Sequence, residues 1–524
     1  MKLTANYTIV LTVILILLSQ SFTQTQSHVQ PDSAFSLAQM TTAKIMQGEV
    51  VVERRPTAFD GYNMFVLREH DNVNSKHNQT LIITDMEGNV EYERILTPET
   101  LYELADLSMD FVSPTTILVG YQRDVALVNL YNGSVRYLGF FGHHDYEYNH
   151  NNNTVFVFKY MTKDINGSSY LYDRIEEHNL NGELVWSLDT SDFISPDMQC
   201  PYEDYFMGSP DMTHSNTLFY DNDEDMIYYN PRNVNTFYKI DHRTSEVIWG
   251  VGEYGNFTMY DKSGHETSHL FFHPHALERV DDNTFILFDN DHHDQNNPNN
   301  RKSRMLEITI NETTMEAHES WSWTGPLQYF SFLWGDADRL PNGNRLGTFG
   351  AGSHPDTDDG PIIVEVTETG DIAWKFTFEN SEEYKYGIYR TERFRYSPIL
   401  ESPSKIHFDP EEEVILEWQA WYDFRPKRTV IGNYSLSMSN TLIDSGTFPY
   451  DRFWRPSNLT FNLGVLEEGE YELTLQVTDE VGFTTNDTIL VNVSVSSFIP
   501  VLIGVSLGVV AVLVILVIYK KKNR

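Results

Sequence analysis

The chain has 524 residues, enough for two or three domains, and its 40% hydrophobic and 13% aromatic content is that of a globular, β-rich protein. With 37 basic and 75 acidic residues the net charge is −38, which argues strongly against nucleic acid as a partner, because a phosphate backbone needs a basic footprint. Cys200 is the single cysteine, so an intrachain disulfide is excluded.

The chain begins with Lys2, a short apolar core at 9–18 and a small, polar run ending near Ser27. This is the layout of a secretory signal peptide, expected over 1–27, with a core too short to span a bilayer. A lead-in over 28–56 follows. Six copies of one pattern then recur, starting at Ile82, Leu127, Glu177, Tyr238, Leu306 and Val364. In each, a strand runs into a polar turn and a second short strand carries an aromatic or aliphatic residue. These are hairpins. With an upstream strand pair for each, four strands per unit give an all-β, six-bladed β-propeller over 57–402, whose closure leaves few exposed edges.

Three histidines, His144, His214 and His275, each open a stretch of short strand, polar Asn/Asp turn and second strand. They lie 70 and 61 residues apart, one per repeat, so equivalent positions converge on a shared axis. Residues 410–496 carry short alternating strands, including the run from Gly469, and are expected to form an immunoglobulin-like β-sandwich acting as a spacer. Residues 498–519 are apolar and uncharged, and the basic tail 520–524 follows. A single C-terminal transmembrane helix with a cytoplasmic tail is expected, leaving the bulk of the chain outside the cell. Sequons from Asn78 to Asn492 suit a glycosylated exterior.

The residues able to do chemistry cluster in the same repeats. His214 and Asn216 stand two apart on an expected inner strand, and alternate residues share a face. Arg232 is placed on the next strand of that unit. Pro274 fixes the backbone before His275. Asn290, Ser303 and Arg304 flank a long polar loop of the following unit. Imidazoles, an amide and a guanidinium, without a matching set of carboxylates, favour an oxyanion. A neutral imidazole can attack phosphorus or sulfur and carry the group covalently. The loop from Asp289 to Asn300 offers carboxylates and imidazoles to a divalent cation, but such loops are more often solvated connections, and no metal is assigned.

The set H-H-D at His143–Asp145, D-M-T-H-S-N, Arg232, H-P-H-A, F-D-N, S-R-M-L-E and Y-R-T-E-R-F from Tyr389 resembles the arylsulfate sulfotransferases, PAPS-independent enzymes on a six-bladed propeller. The resemblance covers about 57 to 400. It implies that His275 is the nucleophile that takes a sulfuryl group from an aryl sulfate and passes it to a phenol, with no cofactor. It implies that His214, Asn216 and Arg232 hold the sulfate oxygens and assist the leaving phenolate. His144 matches the remaining histidine, with His143 beside it as the other candidate. Asn290, Arg304 and His143 are carried, with Asn216, as substrate-binding residues. Pro274 departs from the family, which commonly has Gln there. Two other functions compete: a non-enzymatic surface propeller binding glycan or protein, and a metal-dependent hydrolase using the His/Asp-rich loop.

Overall fold

The computed structural model describes residues 50–100, 108–122, 124–198, 200, 205–206, 209–291, 302–326, 329–350, 359–422, 424–453 and 455–495. The expected signal peptide, transmembrane helix and basic tail lie outside them. Among the described residues no helix is long and apolar enough to cross a membrane.

The architecture is all-β. The six repeated motifs fold as one hairpin used six times. In five of them the Asp or Asn closing the first strand accepts backbone N–H groups two to four residues on, as Asp85, Asn129, Asn179, Asp241 and Asn311 do. In the sixth, Thr367 Oγ1 takes that place. Gly88 supplies the φ of +86° that the first turn requires.

Each hairpin is half of a run of four antiparallel strands, and the sheet holding Glu316–Thr324 is extended beyond that strand by Thr258–Tyr260, paired parallel, and Glu266–Thr267. The first strands of five meanders are Met109–Ser113, His143–Asn149, Ser215–Asp221, His275–Asp281 and Asp336–Arg339. The remaining sheet is completed by the late strand Tyr384–Phe394, which pairs antiparallel with Tyr62–Asp71 and so ties the two ends of this region together. From Met109–Ser113 round to Tyr384–Phe394, each of these first strands neighbours the next.

A first strand has one edge without a ladder partner, and its N–H groups need acceptors. Side chains of neighbouring first strands provide them. Asp110 accepts from Tyr148 N at 3.1 Å, Asp145 from Leu218 N at 2.8 Å, and Asp336 from Thr391 N at 2.9 Å. The acidic character of the chain is therefore partly internal, and these buried carboxylates need counter-charges. Arg390 forks onto Asp145 at 2.8 and 3.1 Å.

Further counter-charges come from the C-terminal unit. That unit has a three-stranded sheet (Ile399–Glu401, Glu413–Trp421, Ser457–Val465) and a five-stranded sheet ordered His407–Phe408, Thr484–Val493, Gly469–Thr478, Val430–Met438, Thr441–Tyr450. Alternating burial along Glu413–Trp421 packs Leu416 and Trp418 with Leu436, Leu473, Leu475 and Val491. Its segment after Tyr422 enters the ring of first strands. Arg425 bonds Glu278, Asp338 at 3.2 Å and Glu392 at 2.8 Å, while Lys427 bonds Glu147 and Asp110. Phe424 packs edge-on against Phe111, with ring centroids 5.7 Å apart.

Three expectations change here. The unit is more than a spacer, because its cations neutralise carboxylates of the other sheets. Its boundary lies earlier than 402 or 410, since Ile399–Glu401 pairs with Glu413–Trp421. The lead-in 28–56 is not wholly separate either, because Val50–Arg54 adds a fifth strand beside Ile372–Glu379.

Candidate active site

His144, His214 and His275 stand at or just before the starts of three consecutive first strands, so the fold brings all three to one end of the ring. His144 and His214 have φ of +64° and +43°, a left-handed backbone that turns the chain into the strand. Their rings meet at 4.9 Å between centroids, inclined at 70°. Tyr389, from Tyr384–Phe394, stands edge-on to both His275 (5.9 Å) and His144 (6.4 Å).

His275 is 1% exposed. Its Nδ1 lies 2.7 Å from Asn290 Oδ1. The Asn290 amide nitrogen donates to the carbonyls of Ser331 (2.6 Å) and Trp334 (2.8 Å), so the amide cannot be turned round. Oδ1 must accept, hence Nδ1 of His275 carries the proton and Nε2 keeps its lone pair. Burial, and then the Arg232 guanidinium, holds the His275 imidazole well below its ordinary range, with the Asn290 bond opposing. The ring is therefore neutral at pH 7.

His144 is likewise held well below the ordinary imidazole range by burial, then by His214, His143, His275 and Arg232. His143 sits behind it, with Nδ1 atoms 2.8 Å apart, its ring stacked on Tyr160 at 3.8 Å and its Nε2 3.1 Å from Asp173 Oδ1. Of the two candidates, His144 is the one whose ring meets His214 and Tyr389. His214 Nδ1 lies 2.7 Å from Asp211 Oδ2, and the His214 backbone N–H donates to Asp211 Oδ1. A carboxylate only accepts, so Nδ1 carries a proton and Nε2 is the exchangeable position.

Arg232, expected on the next strand of its unit, instead opens a 3-10 turn, Arg232–Val234, directly after Pro231. Its backbone N–H donates to the His214 carbonyl (3.4 Å) and its Nη1 to Asn233 Oδ1 (2.8 Å). Asn216 does not share a face with His214 by strand alternation, because His214 precedes the strand and a register shift falls between Ser215 and Thr217. The Asn216 amide donates to the Pro274 carbonyl at 2.8 Å and accepts from Asn230 at 2.7 Å, so it ties two first strands together beside His275. Arg304 is not brought to the histidines: its nitrogens bond Asp289 (2.8 Å), Glu319 (3.2 Å) and the Leu270 carbonyl (2.5 Å). Ser303 holds the Ser331 segment that receives Asn290.

Sequence reasoning quoted Tyr389 and Asp211 within motifs but gave them no role as site wall and partner of His214, and it missed Trp334. Asp211 had a signal, standing three residues before the histidine. Trp334 had none, since it reaches the site from a loop far along the chain. For a metal, Asp336, Asp338 and Glu392 bring oxygens within 4.8 Å of one another, but two of the three already bond Arg425. Residues 292–300 of the loop from Asp289 lie outside the described residues.

The sequence model of the Arylsulfotransferase (ASST) family matches residues 41–390. No curated protein matches the chain. Among solved structures, an extracellular domain from B. thetaiotaomicron assigned to a one component system is 10% identical, with TM-score 0.30, over 83% of this chain and 57% of that one. A selenium-binding protein from Sulfolobus tokodaii is 7% identical, with TM-score 0.32, over 83% of this chain and 92% of that one. A luciferin-regenerating enzyme is 11% identical, with TM-score 0.29, over 65% and 99%. The chain thus spans 57% of the length of the first of these, and likenesses this distant carry no argument. The family match covers more than half of the sequence and includes all three histidines: the chain belongs to the arylsulfotransferase (ASST) family.

Proposed function

We propose that this protein transfers a sulfuryl group from an aryl sulfate to a phenol through a sulfohistidine at His275. The observation that carries the proposal is the Asn290 lock, which leaves a buried, neutral His275 with its lone pair on Nε2. In the first half-reaction Nε2 attacks sulfur, the N–S bond forms and the S–O(aryl) bond breaks. Arg232 and His144, both beside His275, neutralise or hydrogen-bond the sulfuryl oxygens as charge shifts onto them. His214, oriented by Asp211, donates its Nε2 proton to the departing phenolate. In the second, a phenol gives its proton to His214 while its oxygen attacks sulfur, and the N–S bond breaks to regenerate His275. No metal or organic cofactor enters either half. The same His and Asp serve both directions, as a ping-pong cycle requires.

The meanders closed by Tyr384–Phe394 support a six-bladed propeller as the catalytic scaffold, and the two C-terminal sheets support the immunoglobulin-like sandwich. The apolar stretches at 9–18 and 498–519 support a secreted catalytic region held on the cell membrane by one C-terminal helix, with the basic tail inside. Initial rates with 4-nitrophenyl sulfate and a varied phenol test the cycle. Parallel double-reciprocal lines are expected, and intersecting lines with no donor turnover in the absence of acceptor would contradict a covalent intermediate.

A further inference from the structure

The walls of the site continue past Tyr389. Trp334 stands edge-on to Tyr389 at 6.3 Å, and the guanidinium of Arg68 lies 5.7 Å from the Trp334 ring. Arg68 comes from Tyr62–Asp71, where it is paired with Gly387, two residues before Tyr389. Two histidines accompany it, because His70 and His77 are paired across the adjoining hairpin. Their Nδ1 atoms are 3.0 Å apart and their rings stack at 4.2 Å.

Arg68 differs from most of the buried or half-buried arginines of this acidic chain. Arg279, Arg304, Arg345, Arg390, Arg393 and Arg425 all bond a carboxylate. Arg68 is half-buried, and its polar contact is the His77 imidazole, with Nη2 at 3.3 Å from Nδ1. Its Nε is buried and has no hydrogen-bond partner among the described residues. A guanidinium removed from water without a counter-ion is costly, and a bound anion would relieve that cost. The His77 imidazole is also set to donate. Guanidinium cannot accept, so His77 Nδ1 accepts from Arg68 and the His77 proton lies on Nε2.

We propose that Arg68, with His77, forms an anion subsite at the far end of the Trp334–Tyr389 wall, selecting aromatic substrates whose ring carries a second acidic group. The proposal rests on the sulfuryl transfer argued above and names the substrate class of that same site. The sulfuryl group sits at His275, the ring lies along Tyr389 and Trp334, and the carboxylate or second sulfate meets Arg68. In a chain of net charge −38, such a local cation also draws in a doubly anionic molecule that the surface repels.

The test compares 4-hydroxybenzoate and 4-hydroxycinnamate with their methyl esters, which remove only the charge. Apparent KM is measured with 4-nitrophenyl sulfate as donor, and binding of the same four compounds is measured by calorimetry. At least one acid is expected to be favoured over its ester by roughly tenfold, the discrimination of one charge-assisted contact. In Arg68→Met the ratio falls to about one, and in Arg68→Lys it is partly retained. Should Arg68→Met melt early, His77→Leu serves as the second variant and should reduce the same ratio. An unchanged ratio in these variants, or no preference in the native protein, overturns the subsite. Calorimetry gives the ratio even without turnover, so failure of the chemistry and failure of the subsite appear as different results.

Discussion

Asn290→Ala isolates the lock on the proposed nucleophile. The substitution removes the 2.7 Å bond to His275 Nδ1, and the imidazole is then free to place its proton on Nε2 or to rotate. Losing one buried hydrogen bond plus the fixed tautomer raises the barrier by about 1.5–3 kcal/mol, or roughly 10–150-fold in kcat. KM should change little, because Asn290 faces the ring and two carbonyls rather than substrate. Stability should fall by about 1–2 kcal/mol, since the Ser331 carbonyl still accepts from Ser303 Oγ (3.1 Å) while the Trp334 carbonyl loses its close donor. The assay is the burst of 4-nitrophenolate on mixing with 4-nitrophenyl sulfate, followed from acid to neutral pH. The Asn290 bond raises the His275 pKa against the lowering by burial and Arg232, so removing it moves the acid limb to lower pH. A native burst rate, or an acid limb displaced upward, would refute the assignment of Nδ1–H and Nε2.

Further outcomes follow from the same contacts. Asp211→Asn should slow transfer from aryl sulfates with basic leaving phenolates more than from 4-nitrophenyl sulfate, because only the former need the His214 proton; an equal loss on both would contradict that role. Arg425→Met should cost about 3–5 kcal/mol in denaturant unfolding, since it strands Glu278, Asp338 and Glu392 in the ring, and a cost under about 1 kcal/mol would show that the C-terminal unit is not a needed counter-charge. Burial, then Glu392, pushes the Asp336 carboxyl from 3.8 up to about 7. The native state therefore holds an extra proton between those values, and this contribution is present at low pH and lost as pH rises through about 7, up to about 4 kcal/mol in all. Asp336→Asn should flatten that decline between pH 4.5 and 7.5, and an unaltered slope would assign it elsewhere.

Much of the scaffold was legible because its signals are local. The turn chemistry of six hairpins stands in Asp85, Asn129, Asn179, Asp241, Asn311 and Thr367, each bonding within four residues of itself. The three histidines were legible as a repeat, and repetition carries them to equivalent strand starts. Asn216 and Arg232 were named, but for a reason that the backbone does not obey: His214 is left-handed, a register shift follows it, and Arg232 sits in a turn. Arg304 was placed by its nearness to Asn290 in sequence, whereas the pairing of Asp289 with Arg304 holds its guanidinium on Asp289. The partnership of Arg425 and Lys427 with carboxylates from five strands of the ring was not legible. Those carboxylates are scattered from Asp110 to Glu392, and only closure of the ring gathers them.

The most direct measurement is the mass of the protein, taken near neutral pH, after brief exposure to 4-nitrophenyl sulfate without acceptor, with peptide mapping of any adduct. One sulfuryl group on His275, formed with one equivalent of phenolate, absent in His275→Ala and discharged by added phenol, is the predicted result. Phenolate release with no adduct, or an adduct on His144 or His214 that survives in His275→Ala, would contradict His275 as the nucleophile.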